Sequence, residues 1–136
     1  MRFPSTLLLV LGLYGCASPL PEPDPEMAWV ELTAQPSDIF MSDQLDGKRT
    51  PDGRYFQVTP GAHELEARYE FEISSGGFGD FGDTQYLRCT MVIDYDDFQP
   101  GRRYLFQARS LGFTPQGWLR DEDYNVLARA EAEHCY

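Results

Sequence analysis

A nucleophilic enzyme needs a base within hydrogen-bond reach of its nucleophile and a further group to orient that base. Only two histidines are present to serve, His63 and His134, and neither a Gly-x-Ser-x-Gly elbow nor a His-Glu-x-x-His run occurs. Carboxylates are more plentiful. Asp94, Asp96 and Asp97 stand in DYDD, and Asp121, Glu122 and Asp123 in DED. Glycosidase-type acid–base work would need one carboxyl buried beside apolar groups, and in so acidic a chain these clusters read instead as solvated turns. His134 beside Cys135, with His63 as a further ligand, suggests a metal, but structural zinc takes four ligands at tighter spacing. The remaining candidate is SSGGFGDFGDT, residues 74–84. It nearly matches the calcium nonapeptide G-G-x-G-x-D-x-U-x, yet its first aspartate falls one position early and the repeat occurs once, whereas that architecture stacks copies. It also lacks the Gly-Lys-Ser/Thr of a phosphate loop. These residues predict a protein that is not an enzyme and needs no cofactor or metal.

The elements around these residues are strands. HELEARYEFEI, residues 63–73, alternates without a break: His63, Leu65, Ala67, Tyr69, Phe71 and Ile73 on one side, Glu64, Glu66, Arg68, Glu70 and Glu72 on the other. Such a strand has one buried and one wet face, and His63 on the buried side is expected to pack or cap a turn. QYLRCTMVID repeats the pattern after the Gly-rich run, with Leu87, Cys89, Met91 and Ile93 apolar, and Arg88 placed to meet the glutamates of its partner. The two strands make a hairpin whose loop is residues 74–84. Phe78 and Phe81 in that loop are the apolar residues expected to contact a partner.

RRYLFQARS supplies a third strand. Weaker ones are expected over residues 28–32, 39–45, 54–58, 117–120 and 125–130, divided by Asp46-Gly47, Pro51-Asp52-Gly53 and 121–124. VLARAEAEH has good helix formers but is read as strand. Pro60-Gly61 and Pro100-Gly101 each precede a strand and fit type II turns. The sum is an all-β chain: a single antiparallel β-sandwich of about seven or eight strands.

The N-terminus is a secretory signal by layout, with Arg2, an apolar core from Leu7 to Leu13 and a small residue at Gly15. At about 15 residues it falls short of the ~20 that cross a bilayer. Leu13-Tyr14-Gly15-Cys16 resembles the lipobox of bacterial lipoproteins. The resemblance implies cleavage before Cys16 and acylation of that cysteine, hence a lipid bilayer as partner. It also implies the outer membrane, because Ala17 stands where aspartate commonly marks inner-membrane retention. ASPLPEPDPE follows, with Pro19, Pro21, Pro23 and Pro25 alternating. Such a run favours extended polyproline II and can lift a domain about 30 Å from a surface. The expected organisation is signal 1–15, lipidated cysteine and linker 16–27, and sandwich 28–136.

The formal charge of −11 disfavours nucleic acid and anionic membrane and would attract basic partners or divalent cations. With Cys16 lipidated, Cys89 and Cys135 remain, and in an oxidising compartment they most simply form one disulfide.

TPGAHELEA and QPGRRYLFQA resemble the P-G-x-H-x-L and G-x-x-Y-x-(F/L)-x-A half-motifs of small envelope lipoproteins, which are similar to prealbumin-like and PEGA-like sandwich modules. The resemblance implies a fold and no catalytic residues. Together these readings predict a non-enzymatic lipoprotein of the outer membrane, facing the periplasm, that binds or scaffolds an envelope protein. A second expectation is an acidic inhibitor of a cationic, lysozyme-type hydrolase, and a third is a solute- or calcium-binding domain.

Overall fold

A computed structural model describes residues 15–16, 18–73 and 84–136. Ten strands run in chain order: β1 (Ala28–Thr33), β2 (Ile39–Leu45), β3 (Lys48–Arg49), β4 (Tyr55–Val58), β5 (Gly61–Ile73), β6 (Gln85–Phe98), β7 (Arg103–Leu111), β8 (Thr114–Arg120), β9 (Val126–Arg129) and β10 (Glu131–Glu133). They form two five-stranded sheets, ordered β4-β1-β7-β8-β9 (sheet A) and β10-β6-β5-β2-β3 (sheet B). The molecule is a β-sandwich with no helix among the described residues.

The alternation of residues 63–73 decides which face of sheet B is inside. Leu65, Ala67, Tyr69 and Phe71 are buried, as are Cys89, Met91 and Ile93 from the paired strand β6. Sheet A contributes Val30, Phe56, Val58, Phe106, Ala108 and Leu119 to the same core. Phe40 of β2 links the layers, edge-on to Phe106 of sheet A at 4.9 Å and to Tyr69 at 5.6 Å. The fully buried Tyr69 keeps its hydroxyl satisfied by donating to Asp38 Oδ2 at 2.6 Å, and burial pushes that phenol well above its ordinary range.

Several turns follow their residue types. Asp46 and Gly47 both take positive φ between β2 and β3, the geometry an Asp-Gly hairpin turn requires. Gly61 and Gly101 also take positive φ after their prolines, and the second turn closes through Arg102 N–H to Gln99 O.

Four expectations need correction. The sandwich is not wholly antiparallel, because β1 pairs in parallel with β7 from Trp29↔Arg103 to Thr33↔Gln107. There are ten strands because β3 is a two-residue edge and the C-terminal segment divides in two. It leaves β8 at Arg129, crosses at Ala130 and joins β6 as β10. Gly117 permits the crossing: a Cβ there would lie 2.9 Å from Ala130 Cβ and 3.1 Å from Met91 Cε. Asp94, Asp96 and Asp97 do not form a turn, since β6 runs on to Phe98, whose buried ring packs edge-on against Tyr95 and Tyr104 and draws the exposed aspartates into the strand. The proline run does not stand clear of the domain. Arg54 Nη1 donates to Ser18 O at 2.8 Å and Asp24 N–H donates to Gln57 Oε1 at 3.2 Å. Leu20, Pro21 and Pro23 line a recess against Trp29. That outward-facing indole is 6 % exposed, stacked on Tyr55 at 4.3 Å, and its cover supplies the apolar reason for the chain to lie down.

Cys89 and Cys135 are joined in a disulfide across 46 residues. Beside it Arg88 and Tyr136 exchange both backbone hydrogen bonds at 3.0 Å, so the C-terminus is fastened to the edge of sheet B.

Candidate functional site

His63 has neighbours that look catalytic. Nδ1 lies 2.5 Å from Asp46 Oδ2 and Nε2 lies 3.0 Å from Thr59 Oγ1, the order of a carboxylate–imidazole–hydroxyl triad. However, Nε2 also lies 2.7 Å from the Thr59 carbonyl. A carbonyl only accepts, so Nε2 must carry a proton, and it then has no lone pair with which to activate the hydroxyl. The group works as a clamp at the β4–β5 turn, the capping role expected of His63. Asp46 completes it by accepting from Glu64 N–H at 2.8 Å.

That backbone hydrogen bond, followed by the one from His63, holds the Asp46 carboxyl below its ordinary value of 3.8. A depressed carboxyl stabilises the fold fully above its unfolded value, and the contribution is lost as pH falls through the native one. Asp46→Ala should therefore cost about 1 kcal/mol at neutral pH for a half-exposed cluster. In urea denaturation the gap to wild type should narrow as pH falls below the ordinary value of 3.8 and through the lower native one, leaving the pH-independent strain of alanine at this positive φ; a gap that does not narrow would show that the charged carboxylate contributes nothing.

The remaining chemistry lies on the two outer faces, which differ in charge. On sheet B, Glu64, Glu66, Arg68, Glu70 and Glu72 stand opposite Asp94, Val92, Thr90, Arg88 and Tyr86 of β6. Glu131 and Glu133 of β10 extend the same rows, and Ile39, Met41 and Gln44 of β2 flank the other side. Arg88 neutralises Glu70, reaching it at 2.7 and 2.9 Å, as its register in the sequence predicts. Toward the other end the carboxylates are uncompensated. Partial burial, then repulsion from Asp94, Glu66, Glu133 and Asp46, raises the Glu64 carboxyl above its ordinary value. Exposed Ile39, Met41 and Tyr86 lie at the Glu70–Glu72 end. The face is thus an acidic field with an apolar margin.

Sheet A presents arginines. Arg109 and Arg120 lie over the Trp118 ring at 5.1 and 5.8 Å, and Arg129 stands opposite Trp118 in register. The ion pairs among the described residues involve Arg49, Arg54, His63 and Arg88, so these three guanidiniums have no carboxylate partner there.

Of the residues singled out from the sequence, Cys89 and Cys135 are brought together. Cys16 is a free, exposed thiol beside the start of the docked segment. Phe78 and Phe81, with the near-calcium motif, lie outside the described residues. Asp121, but not Asp94, does sit in a turn, accepting from Asp123 N–H and Asn125 N–H at 2.9 Å. The described residues contain no group of three metal-ligating side chains and no helix long and apolar enough to cross a membrane. Sequence reasoning found the glutamate stripe and missed the arginine cluster. The signal for the latter, Arg109, Trp118, Arg120 and Arg129, is spread over three strands whose register no local pattern encodes. No protein-family model, no curated protein and no solved structure matches the chain.

Proposed function

We propose that the protein is an envelope lipoprotein without enzymatic activity that uses the acidic outer face of sheet B to bind or scaffold a cationic protein partner. Cys16 carries the lipid, residues 16–27 connect it to the sandwich of residues 28–136, and the anchored domain sits at the outer membrane facing the periplasm. The observation that carries this reading is the row of carboxylates Glu64, Glu66, Asp94 and Glu133 set side by side by strand register on one outer face, where partial burial and then repulsion among them raise the Glu64 carboxyl. Like charges held on one rigid sheet cost stability that a basic partner relieves on docking, and such complementarity speeds encounter and selects partners. The apolar margin at Ile39, Met41 and Tyr86 gives the partner something to bury. Phe78 and Phe81 lie in the segment linking the same two strands and belong to the proposed contact. The disulfide supports an oxidising compartment. Nucleic acid does not suit this face.

Crosslinking in intact cells followed by co-purification tests the proposal. Glu66→Lys with Glu133→Lys should remove a basic protein recovered with wild type, at least tenfold. Recovery of the same proteins by both forms would refute the face assignment. The same field favours a second reading, inhibition of a lysozyme-type hydrolase, since those enzymes are cationic. It predicts protection of a lysozyme substrate that fades as salt rises toward a Debye length of about 8 Å. An absence of inhibition at low salt would remove it.

A further inference from the structure

We infer that the outer face of sheet A docks onto a membrane surface bearing anionic phospholipid headgroups, through Arg109, Arg120, Arg129 and Trp118 and the adjoining β7–β8 hairpin tip. In a chain where acids outnumber bases two to one, 22 against 11, two guanidiniums lie over one indole and a third arginine stands opposite it in register, with no carboxylate among the described residues within ion-pair distance of the three. Arg109 and Arg120 keep donors to spare. Arg109 spends its Nε on Gln116 Oε1, and Arg120 spends Nε on Gln107 Oε1 and Nη1 on the Tyr124 carbonyl. The neutral partners orient the guanidiniums without discharging them, which suits them to phosphate oxygens. Glu31, Asp121 and Glu122 line a recess with Arg103 and Tyr124, at the β8–β9 turn that Arg120 reaches through the Tyr124 carbonyl, so the acidic end of this face begins beside Arg120 while Arg109 on β7 stands at the other, hairpin end of the strand pair.

Two further features select a bilayer over a soluble anion. The β7–β8 turn carries Leu111 and Phe113, 57 % and 62 % exposed, and Leu111 lies two positions from Arg109 on the same strand face. Exposed apolar side chains beside arginines and a tryptophan suit the headgroup boundary, where guanidiniums stay with phosphate and apolar groups enter the acyl region. The segment from Ser18 also lies beside Trp29 on this same face, the one opposite the acidic outer face of sheet B. This geometry is independent of whether Cys16 is acylated.

The sign of the charge effect makes the test sharp. A protein of charge −11 without a local site should avoid anionic vesicles. The full chain is sedimented with vesicles of phosphatidylcholine alone and of phosphatidylcholine with one-third phosphatidylglycerol. The ratio of the two partition coefficients cancels whatever the N-terminal apolar segment contributes. Wild type should prefer the anionic vesicles at low salt. Arg109→Glu with Arg129→Glu should lower the ratio by at least about 25-fold, since each basic residue at the surface contributes about fivefold and both charges are reversed. Arg49→Glu with Arg68→Glu makes the same charge change at sheet B and should leave the ratio near wild type. Leu111→Ser with Phe113→Ser, at the exposed tip, should lower binding to anionic vesicles severalfold and serves if the arginine variant fails to fold. A wild-type ratio at or below one, or equal losses in the two charge-matched variants, overturns the inference.

Discussion

Cys135→Ser lowers the unfolding free energy by about 4 kcal/mol, the loop-closure entropy expected for a cross-link spanning 46 residues. The bond ties the middle of β6, where Cys89 is buried, to a C-terminal segment whose own strand, β10, has three exposed residues. Without it, β10 has only edge hydrogen bonds to hold it on sheet B and should fray first. Urea denaturation should show a midpoint shift of this size together with a steeper transition, because the unfolded chain is freed to expand. Wild type in excess reductant should coincide with the variant. A loss below about 1 kcal/mol would mean that the bond closes no restrictive loop in the unfolded chain.

Phe106→Ala costs a similar amount, about 3–5 kcal/mol. Phe106 is fully buried in sheet A and meets Phe40 of sheet B edge-on at 4.9 Å, so its removal opens a cavity between the layers where neither sheet can relax without breaking register. Phe106→Leu should recover much of the loss because it restores most of the volume. If alanine is tolerated within 1 kcal/mol, the two sheets do not share the core described above.

The legible part of the fold was the part with period two. Residues 63–73 and 85–94 announce a hairpin and its inner face, and Asp46-Gly47 and Pro100-Gly101 announce their turns, because alternation and turn residues act locally. The parallel pairing of β1 with β7 joins segments some seventy positions apart and leaves no local trace. The continuation of β6 through Asp96 and Asp97 was hidden because aspartates suit turns; what keeps them extended is the anchoring of Phe98 in the core. The proline run reads as a spacer by composition, but Trp29, apolar and outward-facing, offers it a surface on which to lie. On the binding side, the glutamates of β5 were visible as a stripe. Their reinforcement by Glu131 and Glu133 required knowing that the chain changes sheets at Ala130.

As proposed above, the two faces serve two partners, a basic protein on sheet B and an anionic bilayer on sheet A. A photo-crosslinking residue, p-benzoylphenylalanine, placed in intact cells at Val92 in the acidic field, or at Gln107 beside Trp118, reads both directly. The account predicts that position 92 traps a protein of basic isoelectric point, with a yield that falls as salt rises, while position 107 traps no such protein. Equal protein adducts at the two positions, or protein adducts at position 107 alone, would contradict it.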